Sequence, residues 1–559
     1  MKKFNFLFLL LLFFFNASAQ FSKYIVKFRD KTGTPFSLNN PAQFLSPKSI
    51  ERRTKQQIAI DETDLPIPGR YIDSVRLAGN VLILNKSKWL NQICIQTTDS
   101  AALAKINRFP FVENYQPVFR VSNEQVISRN KFTEQINKIS TPASPLNPTD
   151  HYSYGNSYNQ IHIHEGEFLH NKGFYGQGML IAIIDAGFYH YQTLPAFDSV
   201  RKNGQVVETY DFVANKENVN EENSHGMQCF SIIAGNIPGQ LVGSSPKAKF
   251  YLYRSEDVSS EMPVEEQNWI AAAERADSIG VDVISTSLGY NTFDNPIFDY
   301  SYADMNGRTT MIAKTATLAA KKGMIVLAAA GNEGADSWHY IITPADADSI
   351  VAVAAVNSSG APASFSSYGP SSDGRVKPTV ASVGVATAIS STTGAIVSGN
   401  GTSFATPNMA GLITCLWQAF PDFTNMEIIE AVKRSSSIYN SPDVRIGYGI
   451  PNFRIAFNDL SEKRILRNIN SILGNKRIKI YPNPFKNNFT VLIKPENSET
   501  ANFSLYDALG KLYFSKTISL VAEQAQAIQF ENLQLLQRGI YFLKINSKKS
   551  KQSFKLVVQ

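Results

Sequence analysis

The chain has 559 residues, 43% hydrophobic and 18% charged, which is too long for one ordinary domain and too apolar to be disordered throughout. Its three cysteines, Cys94, Cys229 and Cys415, are too few and too scattered for a disulfide framework, so folding rests on packing. The net charge of +7 is no nucleic-acid signature: 13 Lys and Arg against 5 Asp and Glu fall after Asn475, the rest is near neutral, and no nucleic-acid motif accompanies them.

Lys2 and Lys3 precede an apolar run over residues 4–15, and Ala17-Ser18-Ala19 supplies small residues for cleavage. This pattern predicts a secretory signal peptide over residues 1–20. The run is shorter than the roughly 20 residues a bilayer requires, and no later segment is long and apolar enough to span one. The mature protein is therefore expected to be secreted, without a transmembrane segment, and to work extracellularly or at the outer cell surface.

Residues 21–121 read as a small α+β unit. Alternation at 24–28 predicts a strand, and a basic amphipathic helix is expected over 46–60, opening after Ser46-Pro47. Strands at 81–84 and 93–96 and a helix over 100–107 follow. Residues 122–153 are polar, contain Pro142, Pro145 and Pro148, and lack periodicity, which predicts a linker open to maturation cleavage.

Over residues 154–460 unbroken apolar runs at 179–184, 250–253, 281–284, 324–330 and 350–356 alternate with helical patterns such as 265–279 and 309–321. Continuous apolar strands separated by helices predict a three-layer α/β domain with a parallel sheet covered on both faces. Ligands of such sheets bind beyond the carboxyl ends of the strands. Residues 476–559 change again, to short strands separated by turn residues, which predicts a small β-sandwich without catalytic groups.

Three segments of the α/β region bear chemistry. Ile181-Ala-Ile-Ile-Asp185 puts a carboxylate at the end of a buried strand, Ser224-His225-Gly226 puts an imidazole at the start of an apolar helix, and Gly399-Asn-Gly401-Thr-Ser403 puts a hydroxyl on a Gly-rich turn. Taken singly, these are a turn aspartate, a structural histidine and a capping serine. Together they supply a nucleophile, a base to activate it, and a carboxylate to orient that base. Their order along the chain, Asp then His then Ser, is that of subtilisin. A fourth segment, Ala330-Gly331-Asn332-Glu-Gly334, ends another buried strand; the Asn332 amide can donate to an oxyanion beside the Ser403 N–H.

With Ser287-Leu288-Gly289 and Gly401-Thr-Ser403-Phe-Ala-Thr-Pro407 added, these motifs resemble the subtilases, the subtilisin-like serine peptidases. The resemblance implies Asp185, His225, Ser403 and Asn332 as catalytic residues of a serine endopeptidase. It implies that Ser287, Leu288 and Gly289 bind extended protein or peptide substrates as an added strand, and that Gly331 and Gly334 line the pocket for the residue before the scissile bond. Ala186 and Met227 stand where threonine is common in the family, and Asn408 where histidine is; none removes a catalytic atom. Cys229, one turn after His225, reads as a small apolar packing residue.

The first unit, with Phe44-Leu-Ser-Pro-Lys-Ser-Ile-Glu-Arg-Arg53, resembles the prodomain of Bacteroidetes subtilases, which implies an inhibitor and folding assistant. The tail, with Tyr481-Pro-Asn-Pro484 and Gly539-Ile-Tyr-Phe542, resembles the C-terminal sorting domain of the type IX secretion system, which implies that machinery as a partner.

No cofactor is required for such chemistry. The family commonly binds structural calcium, and Asp304-Met-Asn306-Gly307 is only a fragment of a calcium-loop pattern. His162, His164, Glu165 and His170 lack the spacing of a zinc helix, and a surface helix start is expected there. Two rivals share these motifs. One is an esterase or peptide ligase built on the same triad, the other a catalytically silent fold serving as a surface adhesin. An intact triad with its oxyanion amide argues against the silent fold.

Overall fold

The computed structural model describes residues 21–120, 131–132, 134–139, 149–220 and 223–559. The expected signal peptide lies outside the described residues, as does much of the expected linker. The chain divides into two compact units after Ala456.

The first unit opens with a four-stranded antiparallel sheet in the order β2-β3-β1-β4, built from β1 (Phe21–Phe28), β2 (Leu82–Ser87), β3 (Gln92–Gln96) and β4 (Val112–Arg120). Helices α1 (Pro47–Lys55), α2 (Gly69–Arg76) and α3 (Ser100–Ile106) accompany it. One face buries Val26, Phe28, Ile93 and Ile106 with Tyr71 of α2. The Ser46 side chain caps α1 by accepting from the Ser49 N–H, and Pro47 occupies the first turn, where its missing N–H costs nothing. The helix stops at Lys55 rather than near residue 60. Gln57 turns left-handed (φ 57°), and the Ile58 N–H returns to the Arg53 carbonyl at 2.8 Å.

The four-residue strand β5 (Gln135–Lys138) follows, then the short helices α4 (Tyr158–His162) and α5 (Glu167–Asn171). The α/β body contains β6 (Leu180–Asp185), α6 (Asp198–Lys202), β7 (Val206–Asp211), α7 (His225–Ala234), a two-residue pair β8 (Asn236–Ile237) and β9 (Leu241–Val242), β10 (Lys249–Arg254), α8 (Val264–Ile279), β11 (Val283–Thr286), α9 (Met311–Lys321), β12 (Ile325–Ala329), β13 (Val351–Val356) and β14 (Val380–Val383). Seven of these strands form one sheet in the order β14-β13-β12-β11-β6-β10-β7, every pairing parallel. Strands β6, β11, β12, β13 and β14 are buried at every residue, as unbroken apolar runs between helix layers require. A hairpin, β15 (Thr387–Ser390) and β16 (Ile396–Asn400), leads into α10 (Thr402–Ala419), and α11 (Asn425–Arg434) completes the body. Strand β5 adds to the free side of β16, pairing Gln135 with Asn400 and Ile136 with Gly399.

The N-terminal sheet docks on α8 and α9 of this body. Ile25, Cys94 and Val118 pack against Met262 and Val264. Below them Arg53 bridges Asp64 and Asp277, and Lys322 reaches Asp61 and Asp64 at 3.0 and 2.9 Å. Glu274 of α8 accepts from the Ser87 hydroxyl and from the N–H groups of Lys88 and Trp89, which closes the β2–β3 turn.

Helix α12 (Phe453–Leu473) runs across the boundary expected at residue 460. The second unit carries two antiparallel sheets. One is ordered β17-β18-β21, from β17 (Ile478–Tyr481), β18 (Phe489–Ile493) and β21 (Gln526–Phe530); the other is β20-β19-β22-β23, from β19 (Glu499–Asp507), β20 (Leu512–Leu520), β22 (Gly539–Asn546) and β23 (Lys551–Val558). They share a core that includes Phe489, Phe503, Phe530 and Leu543.

Candidate active site

Strand β6 ends at the buried Asp185, on the carboxyl edge of the sheet beside the point where strand order reverses. Its Oδ1 accepts from His225 Nδ1 at 2.6 Å and from the Ala186 N–H at 2.7 Å. This bond fixes the tautomer that leaves Nε2 facing the cleft. Gly226 permits the approach: a Cβ there would lie 2.6 Å from the Gly187 carbonyl and 2.8 Å from Asp185 Cβ. Asp185 Oδ2 is buried without a partner, and alanine at 186 has no hydroxyl to offer it.

Ser403 is the second residue of α10. Pro407 lies four residues on, inside the same helix, and has no N–H to give the Ser403 carbonyl. Other donors take its place: the Ser287 hydroxyl at 2.8 Å and the Cys229 thiol at 3.3 Å. Cys229 thus anchors the turn besides filling space, and burial pushes its thiol well above the usual range. Asn332 follows β12, and its Oδ1 accepts from the Thr402 N–H at 2.9 Å and the Thr402 hydroxyl at 3.0 Å. With the oxygen so engaged, the amide nitrogen is the end left to donate into the cleft. Ser287, Leu288, Gly289, Gly331, Asn332 and Ser403 line one cavity of 90 Å³. Gly334 does not share this lining. It packs against the Ser366 backbone, whose carbonyl would stand 2.2 Å from any Cβ.

A residue absent from the sequence reading occupies the centre of this site. Glu134, directly before β5, accepts the Ser403 hydroxyl at 2.8 Å, and the same oxygen lies 3.4 Å from His225 Nε2. The Ser403 hydroxyl is therefore directed to a carboxylate instead of to the imidazole. Phe132 stacks on the His225 ring with centroids 4.2 Å apart. Next to it Lys131 points its ammonium among Glu256, Glu261 and Glu265. Glu134 carries no local mark in the sequence. Its place follows from the pairing of β5 with β16, and the contact it makes spans 269 residues of chain.

Comparison with known proteins assigns three regions of the chain. Residues 176–449 match the Subtilase family, residues 23–137 the Peptidase S8 propeptide domain of Bacteroidota, and residues 479–559 a secretion system C-terminal sorting domain. Subtilisin NAT of Bacillus subtilis subsp. natto is 30% identical over 292 residues, which cover 52% of this chain and 68% of that protein. Subtilisin of Bacillus pumilus is also 30% identical, with 94% of its length covered. The chain belongs to the subtilase family. It is a serine-type endopeptidase with a propeptide and a secretion sorting domain. Among solved structures, MycP1 from Mycobacterium smegmatis aligns at a TM-score of 0.44 and 20% identity, over 58% of this chain and 89% of that one.

In this subtilase the propeptide match runs to residue 137, past the expected boundary at 121, so Lys131, Phe132 and Glu134 fall within it. Burial would lower the His225 pKa, but the charges of Asp185 and Glu134 outweigh it and raise it to about 10. Burial likewise works against the Glu134 carboxylate, yet His225 holds its pKa below the usual value.

The other singled-out groups are structural. The expected surface helix start at 161–170 is corrected: His164 and His170 are fully buried. His164 bonds the Pro451 carbonyl and Ser382, while His170 bonds Tyr154 and the Ser244 carbonyl. Burial lowers both to about 4, so they stay neutral. Only His162 is exposed, paired with Glu167 at 2.7 Å. Asp304 accepts from the Ser301 N–H and hydroxyl, and Asn306 Oδ1 from the N–H groups of Arg308 and Thr309. These oxygens close a turn. Asn408 donates to the Gln160 carbonyl at 2.6 Å, and Met227 is buried core. Among the described residues no helix is long and apolar enough to cross a membrane.

Proposed function

We propose that this subtilase hydrolyses peptide bonds through an acyl-enzyme on Ser403. His225 takes the hydroxyl proton and later delivers it to the leaving amine, and Asp185 orients His225 and stabilises its cation. The Asn332 amide and the Ser403 N–H receive the oxyanion. Ser287, Leu288 and Gly289 hold the extended substrate, and Gly331 leaves room beside the residue before the scissile bond. The observation that carries this reading is the Glu134 oxygen, which touches both the Ser403 hydroxyl and His225 Nε2. Two reactive atoms that share one small ligand lie within reach of a common substrate atom once that ligand leaves.

The same observation supports latency in the precursor. Glu134 diverts the nucleophile's proton and holds the imidazole in its charged form, which cannot act as a base. Maturation requires a cut between Val121 and His151, made by Ser403 itself. The sorting domain passes the enzyme through the type IX machinery to the cell exterior or outer surface. A fluorophosphonate probe tests the mechanism. Processed wild-type protein should be labelled at Ser403 and the Glu134-bearing precursor should label slowly. Absence of label on processed protein would exclude the acyl-enzyme.

A further inference from the structure

We infer that Glu256, Glu261 and Glu265 form a substrate subsite for a lysine or arginine side chain, filled in the precursor by Lys131. The inference rests on the peptidase mechanism above and specifies which substrates it favours.

Glu256 follows β10, Glu261 precedes α8 and Glu265 lies in its first turn; Glu256 and Glu261 line the cavity shared by Ser403 and the Ser287–Gly289 segment, and Glu265 is buried behind them. A cation occupies them. Lys131 Nζ lies 2.9 Å from Glu256 and 3.3 Å from Glu261, and it also pairs with Glu265; the Lys131 side chain is 8% exposed.

The pocket is built to keep its carboxylates in place without the lysine. Glu265 accepts from the N–H groups of Asp257 and Met262, and Glu256 from the Tyr290 hydroxyl. One oxygen of Glu261 is buried with no partner even with Lys131 present, so the site has acceptor capacity beyond what it uses. Nearby cations do not satisfy the cluster from the body side: every ammonium or guanidinium paired with these three among the described residues belongs to Lys131.

The segment carrying Lys131 lies across the candidate site. Phe132 covers the His225 ring, Glu134 meets the Ser403 hydroxyl, and Gln135 to Lys138 pair with β16, the strand that leads into α10. Lys131 thus sits on the N-terminal side of the reacting position, where side chains of a bound peptide are selected. When the propeptide departs, the three clustered glutamates, of which burial raises Glu261 to about 8 and Glu265 well above the usual carboxylate range, lose the cation paired with them. A substrate lysine or arginine at the matching position restores the charge-assisted bonds; a neutral or acidic residue cannot.

The test uses processed enzyme and internally quenched peptides that span residues 129–137, with Glu134 replaced by alanine in all of them so that no carboxylate meets Ser403. The position of Lys131 carries Lys, Arg, Leu or Glu. The Lys and Arg peptides should be cleaved with kcat/KM at least about tenfold above Leu, with Glu slowest. The paired change Glu256→Gln and Glu265→Gln should narrow that ratio. In the precursor, Lys131→Arg should mature like wild type and Lys131→Glu more than about tenfold slower. Equal rates for Lys and Leu, or no cleavage by an enzyme that takes the fluorophosphonate label, would overturn the subsite. Failure to take the label would instead overturn the mechanism on which it rests.

Discussion

Arg53 of the propeptide donates to Asp277 of the catalytic body at 2.9 Å, and neither side chain is more than 1% exposed. Asp64 and Lys322 extend this contact into a buried ion network across the docking surface. Removing Arg53 leaves Asp64 with Lys322 and Asp277 with Arg52, each a buried carboxylate short of one cation, a loss of up to about 3–5 kcal/mol. Arg53→Ala should therefore weaken retention of the cut propeptide far more than Arg76→Ala, whose partner Asp73 shares its exposed helix surface. The measurement is the rate at which activity appears after cleavage. Equal rates for the two variants would deny the network its part in docking.

Docking should also respond to pH at two groups of this surface. Burial raises the Glu274 carboxyl to about 7, so the bound state favours its proton, and that contribution fades as pH rises from about 4.5 through 7. For Asp64, burial acts upward but Arg53 and Lys322 prevail and lower it. Its contribution is present above the free value of about 3.9 and is lost as pH falls through the depressed one. The cut propeptide should be held most tightly near pH 4–5 and released faster at pH 8. Glu274→Gln should flatten the neutral limb of the profile.

Ser403→Ala should abolish peptide hydrolysis down to the ~10³–10⁴-fold acceleration over water that binding and oxyanion donors retain. The same variant should keep its propeptide attached when expressed without the signal peptide. N-terminal sequencing checks this: identical termini in variant and wild type would mean that another protease makes the cut.

Asn332→Ala should lower kcat by about 10²–10³-fold, or ~2.7–4 kcal/mol, with little change in KM. The Asn332 oxygen is engaged by Thr402, so the variant also frees two Thr402 donors. A rise in KM with kcat unchanged would assign the amide to substrate positioning.

His225 in the uncut precursor should titrate near 10, because Asp185 and Glu134 both face it. A raised histidine contributes its full stabilisation below the unfolded value of about 6.5 and loses it as pH rises through the folded one. In a Ser403→Ala precursor, Glu134→Gln removes one of the two anions, and the imidazole titration should move from about 10 towards neutral. Selectively labelled histidine NMR reads this directly; an unmoved titration would show that Glu134 does not govern the charge of His225.

The β6 run ending in Asp185, the glycine after His225 and the Gly-rich entry to Ser403 were legible in the sequence because each is a local pattern with one physical cause. The parallel sheet was legible for the same reason, through unbroken apolar strands. Glu134 and Lys131 were not, since they sit in a polar stretch without periodicity and act only across the fold. The histidines at 164 and 170 misled in the opposite direction: imidazoles satisfied by carbonyls and hydroxyls look, in one dimension, like surface groups. The end of α1 also escaped, because nothing local marks Gln57 for a left-handed turn.

Pro407 has a consequence for alignment. Because it cannot close its own helical bond, the carbonyl of Ser403, the proposed nucleophile, is tied to the side chain of Ser287, the first residue of the segment proposed to hold the substrate. Rail and blade are joined by one hydrogen bond. In the proposed binding mode, a peptide laid along Ser287, Leu288 and Gly289 has its reach to the hydroxyl set by the enzyme's own frame, separately from any selection of its side chains. Fidelity of attack is thereby separated from strength of grip, and an endopeptidase can accept many sequences while striking each at the same point.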